Sequence, residues 1–164
     1  MILMPKPAAV YVSLIVAAML QLIPLPDSVS GARPLWLPMT VLFWNIAAPH
    51  WFNIGSSWLV GIFLDLLSGS LLGQHALAMV AMSYIAIRFY KQYRLYSVAQ
   101  RLLLAGSALL VWQLIDTWIW RIDGQTPGAA QIWLPLLTSL LLWPWYQGVL
   151  DWVDEHWRAD TARE

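Results

Sequence analysis

The 164-residue chain has no cysteine, which excludes a disulfide framework, a zinc–thiolate site and a thiol redox centre. Charge is almost as scarce. Asp, Glu, Lys and Arg make up 11% of the residues, whereas a soluble domain carries about 25%, so these side chains cannot cover a globular surface in water. Nine cations balance nine anions, and a net charge of zero gives no basic footprint for a nucleic acid. The three histidines, His50, His75 and His156, fall at different depths and on different sides of the layout derived below. They read as turn or interface residues rather than a metal set, and no cofactor is expected.

What remains is apolar. Hydrophobic residues fill 60% of positions, mean hydropathy is +0.61, and the chain holds twelve tryptophans and ten prolines. Trp gathers at membrane interfaces and Pro is tolerated in membrane helices, so the sequence reads as one polytopic membrane domain over 1–164. A span takes about 20 apolar residues. The pattern predicts helices at about 8–25, 34–48, 55–71, 74–90, 100–120 and 132–150. The first lacks a small-residue cleavage site and reads as an uncleaved anchor. The second and third come from a 31-residue stretch between Arg33 and Asp65 with no Lys, Arg, Asp or Glu, broken at "APHWFNIGS". Pro144 in "WPWYQ" is expected to kink the last helix. The tail after 150 reads as charged and amphipathic at best.

Six spans put both termini on one side. With the termini in the cytoplasm, seven cations lie inside (Lys6, Arg88, Lys91, Arg94, Arg101, Arg158, Arg163) and two outside (Arg33, Arg121), as the positive-inside rule asks. A five-span reading, without the short second helix, would separate the termini. The 88–101 cluster, interleaved with Tyr90, Tyr93 and Tyr96, sets topology and could also meet anionic headgroups or a cytoplasmic partner.

The segment "GIFLDLLSGSLLG" raises the functional question. Ser57, Gly61, Asp65, Gly69 and Gly73 recur every four residues and would form one stripe on a helix. Small residues so spaced let helices approach closely where lipid gives no hydrophobic drive to associate. The stripe is therefore a candidate packing face, within the bundle or for a partner's helix. Asp65 must point at protein or water, because a charged Asp at the bilayer centre costs about 2.5–3.5 kcal/mol. Asp116 falls at similar depth, so both carboxylates are assigned to an outer-half polar network that Asn45, Gln113 and Ser68 could complete. A proton relay lacks a continuing chain of titratable groups. A catalytic pair lacks a nucleophile, a metal or a phosphate loop, so no enzyme is expected. If Asp65 only anchors packing, Asp65→Asn should be partly tolerated.

"LIPLPD", "RPLWLPMTVLFW", "PHWFNIGSSWLVGIFLDLLSGSLLGQHAL" and "LLLWPWYQ" together resemble the MreD family of bacterial rod-shape-determining proteins, in its Gram-negative form, over about residues 20–150. The resemblance implies a non-enzymatic inner-membrane subunit of the Rod complex, or elongasome. It would pair with MreC, in company with MreB, RodZ, RodA and a class B penicillin-binding transpeptidase, in side-wall peptidoglycan synthesis. It also implies six helices arranged as in the substrate-binding subunits of energy-coupling-factor transporters, which keeps a second class open: a binder or transporter of a small molecule or lipid intermediate. Gly61, Asp65, Gly69 and Gly73 occupy the family's motif positions.

Overall fold

The computed structural model describes residues 7–23, 31–122, 124 and 128–161. Among them are six α-helices and no strand: α1 (Pro7–Leu22), α2 (Trp36–Ala47), α3 (Ile54–Ser68), α4 (Gln74–Tyr93), α5 (Val98–Ile122) and α6 (Ala129–Thr161). The termini of these helices follow local chemistry. Pro7 opens α1, where a missing N–H removes no bond. At its other end, the Arg33 guanidinium donates to the carbonyls of Gln21 and Ile23, a cation set where the helix dipole is negative. Asn53 caps α3 by accepting from Gly55 N at 3.0 Å and Ser56 N at 3.4 Å.

Unlike a soluble protein, the bundle is apolar outside as well as inside, with a few polar side chains sheltered in its core. Leu66, Leu103 and Leu141 are 68%, 73% and 83% exposed, while Asn45, Ser57 and Ser83 are fully buried. In α1 the inward face is enriched in small residues, with Val10 and Leu14 buried beside them. Ala9, Ser13, Ala17 and Ala18 point inward, and Tyr11, Ile15 and Met19 point outward. Small residues inside and large apolar ones outside are the arrangement that packs helices in lipid, and an apolar exterior this extensive is foreign to a soluble monomer. α5, with 25 residues and a hydropathy of 1.6, is long and apolar enough by itself to cross a membrane. α1, α2 and α3 are apolar but shorter.

α2 lies at the centre. Its 12 residues reach only about 18 Å, and every residue from Leu37 to Ile46 is buried, packed against α1, α4, α5 and α6. A helix without lipid contact need not match the bilayer thickness. Polar contacts fix it to its neighbours. Trp44 Nε1 donates to Ser13 Oγ of α1 at 2.8 Å. The Asn45 amide donates to Ser57 of α3 at 3.0 Å and to Ser83 of α4 at 2.8 Å. Thr40 Oγ1 gives its proton to Trp36 O, so Tyr146 of α6 donates to Thr40 at 2.7 Å. Ser139 of α6 accepts from Leu35 N at 2.8 Å, satisfying a donor at the helix start.

Two segments differ from the sequence reading. The third helix stops at Ser68 rather than near 71, because Gly69 adopts φ +65° and ends it. The last helix continues past 150 to Thr161, unbroken through Pro135 and Pro144; at about 50 Å it outruns the hydrocarbon core. The hub role of α2 gives a stability prediction. Asn45→Val should lower the unfolding free energy by about 1–2 kcal/mol, read as an earlier midpoint in denaturation from mixed micelles, whereas Thr138→Val, at a half-buried position on α6 where the hydroxyl bonds only within its own helix, should shift it little.

Candidate functional site

The site begins with the approach of α3 to α4. A Cβ on Gly61 would stand 2.3 Å from Ala76 Cα and 2.7 Å from Ala76 N, closer than any side chain tolerates, so only glycine fits this crossing. The groove that the small residues open is thus filled by the chain's own α4. One turn further along α3, Asp65 reaches the start of α4. Its Oδ2 accepts from Gly73 N at 2.8 Å. Its Oδ1 accepts from His75 N at 2.9 Å, Ser70 Oγ at 3.0 Å and His75 Nδ1 at 2.8 Å. Four donors converging on one carboxyl group suit the ionised, acceptor-only form. A carboxylate at a helix N-terminus also meets the positive end of the helix dipole. The acid in the apolar run is thus the anion that the next helix needs at its first turn.

His75 extends the cluster. The carboxylate on one side holds the proton on Nδ1, which leaves Nε2 facing Asp116 Oδ1 of α5 at 3.6 Å, beyond hydrogen-bond distance and an ion pair only with the ring doubly protonated. Gln74 Nε2 donates to the same oxygen at 2.8 Å. The indole of Trp112 stacks on the imidazole with centroids 6.0 Å apart. Asp65, His75 and Asp116 therefore tie α3, α4 and α5 together at one end of the bundle, with Asp65 1% and Asp116 4% exposed. Among the described residues no group of three His, Asp or Glu side chains is arranged to hold a metal.

The stripe is shorter than the four-residue spacing suggested. Ser57 and Gly61 lie on α3, but Gly69 and Gly73 lie beyond its end. Both have positive φ, +65° and +98°, and no heavy atom within 4 Å of an added Cβ. They are turn residues that let the chain reverse within five positions; they form no packing face. The companions suggested for the carboxylates also divide differently. Asn45 bonds to Ser57 and Ser83, away from Asp65. Gln113 lies 3.5 Å from Thr117, and Ser68 returns to Leu64 O while touching Ser70. Ser70, Gln74 and His75 take those places. Only their adjacency to the "GSLLGQH" turn could have marked them, since a turn returns its residues to the helix end that precedes it.

This geometry reverses the expectation for Asp65→Asn. An amide must turn its NH₂ toward the Gly73 donor or toward the donors on the other oxygen, leaving a buried N–H unsatisfied at about 1–3 kcal/mol. Asp65→Asn should therefore lower the denaturation midpoint about as much as Gly61→Ala, which drives a methyl into Ala76. Gly148→Ala, where space is open, should be neutral. A wild-type midpoint for Asp65→Asn would refute the capping role.

Comparison with known proteins agrees with these features. A profile of the family described as rod shape-determining protein MreD matches residues 7–153. Over 134 residues the chain is 33% identical to the rod shape-determining protein MreD of Haemophilus influenzae, covering 80% of this chain and 81% of that protein. No solved structure matches. The profile match runs from the first residue of α1 into α6 and includes the Asp65–His75–Asp116 cluster. The chain therefore belongs to the MreD family of rod shape-determining membrane proteins.

Proposed function

We propose that this chain is a non-enzymatic, multi-pass membrane scaffold of the Rod complex that binds MreC directly and supports side-wall peptidoglycan synthesis. MreB, RodZ, RodA and the class B penicillin-binding transpeptidase would be reached directly or through MreC. Family membership is the observation that carries the reading. The interior supports it too: Asp65 and Gly61 are fully engaged by the chain's own α4, which leaves a partner helix the exterior. There, α1 and α3 flank an apolar groove of about 230 Å³ walled by Tyr11, Ile15, Leu59 and Phe63. Dispersion contact in such a groove is what associates helices in lipid, and the groove is the proposed seat for the membrane helix of MreC. The arrangement of energy-coupling-factor binding subunits remains the proposed overall architecture, and both termini are assigned to the cytoplasm of an inner-membrane protein.

Reporters fused after residue 164 or within 91–99 should behave as cytoplasmic, and insertions near 125–128 as periplasmic. A periplasmic C-terminus would show that the spans are miscounted. For the partner, the wild type should co-purify with MreC in mild detergent without MreB or nucleotide. Ile15→Trp with Leu59→Trp, at exposed groove positions, should cut MreC recovery about tenfold, the equivalent of about 1.4 kcal/mol, at unchanged membrane levels. Clean separation of folded wild-type protein from MreC would overturn the scaffold reading, and full recovery with the double variant would move the seat elsewhere.

A further inference from the structure

The end of the bundle opposite Asp65 carries a feature that neither the packing nor the scaffold reading uses. The end of α2, the close of α4, the start of α5 and the later part of α6 line an open cleft of about 380 Å³. Its base is aromatic and polar at once. Trp143 Nε1 donates to Tyr93 Oη at 3.3 Å, and Tyr93 Oη donates to Gln147 Oε1 at 2.8 Å, with Trp143 1% and Tyr93 4% exposed. The rim is divided by charge: Arg94 and Arg101 stand on the α4–α5 side, and Asp151, Asp154 and Glu155 on α6. Arg101 is held in place, its Nε on Tyr96 O at 3.1 Å, one Nη on Arg94 O at 3.4 Å and its guanidinium over the Tyr93 ring. A guanidinium has five N–H donors, so this tethering leaves others for a ligand. Asp151 and Asp154 already interact within the chain; Glu155, on the outer turn of α6, is exposed.

The cleft does not end at this rim. A second hollow of about 240 Å³ shares Arg101, Trp143, Gln147 and Asp151 with it and continues between α5 and α6 along Val98, Leu102, Pro144 and Gly148. A head lined by opposite charges leading into an apolar groove on the helix exterior is the outline of one lipid molecule. We infer that this cleft is a phospholipid site selective for a headgroup bearing both a phosphate and a primary ammonium, with phosphate at Arg94 and Arg101, ammonium at Glu155, and one acyl chain along the α5–α6 groove. A purely anionic headgroup would meet the arginines but bring no cation to Glu155, whose charge opposes it, which selects against it. A quaternary ammonium cannot donate hydrogen bonds to that carboxylate.

The test is native mass spectrometry of the full chain from mixed micelles holding equimolar phosphatidylethanolamine and phosphatidylglycerol. The wild type should retain phosphatidylethanolamine with a preference of about fivefold, an exposed charge-assisted contact being worth about 1 kcal/mol. Arg94→Gln should weaken retention of both lipids, and Glu155→Gln should erase the preference. Gly148→Leu, at a groove position where an added Cβ meets no heavy atom within 4 Å, should remove bound lipid while the denaturation midpoint is kept. Equal retention of the two lipids, a preference for phosphatidylglycerol, or wild-type behaviour of both charge variants would overturn the assignment. Free O-phosphoethanolamine, which lacks acyl chains, should compete poorly; competition as strong as that of the lipid would make the site one for a soluble ligand and overturn the lipid reading.

Discussion

The lack of a hydrophobic drive between helices in lipid sets the terms for everything else in this bundle. Helices that are apolar all round have no reason to choose one neighbour over another, so the choice falls to polar side chains and to close backbone approach. The polar side chains converge on α2, and the close backbone approach is that of α3 to α4 at Gly61. A helix of 12 residues cannot span by itself, and it is stable only where longer helices enclose it. Ser13, Ser57, Ser83, Ser139 and Tyr146 then supply one contact each from α1, α3, α4 and α6. These hydrogen bonds fix rotation and register where dispersion contacts alone would permit sliding.

The Asp65 cluster solves a second problem of the same solvent. The reversal between α3 and α4 exposes amide donors at the start of α4, which would be costly to leave unsatisfied away from water. A side chain from the end of α3 reaches across and accepts them. Gln74, beside the cap, donates to Asp116, so the turn that needed a cap also fastens α5. The carboxylates of the apolar runs are thus structural partners of one hairpin. This explains acids in a protein of a rod-shape family without requiring a reaction at them.

Much of the architecture was legible because the bilayer constrains composition so strongly. Scarce charge, abundant Trp and the break at "APHWFNIGS" led to six helices, and six are found among the described residues. Asp65 and Asp116 drew notice because charge in an apolar run is rare. Gly69 and Gly73 misled, because a four-residue spacing continues in sequence whether or not the helix does; their positive φ belongs to the backbone path and leaves no periodic trace. His75 was set aside as a turn residue because its partners lie 10 and 41 positions away.

The sequence by itself determined the solvent, the number of helices and which polar residues must be sheltered, since these follow from transfer energies summed along the chain. Only the tertiary structure decided which groups shelter them. Gly61 faces its own α4 rather than a foreign helix, Asn45 joins α2 to α3 and α4 instead of joining the carboxylates, and Arg94 and Arg101 share a cleft with the acids of α6. Each pairing depends on distances of a few ångströms between residues remote in sequence, and composition and periodicity carry no record of such distances.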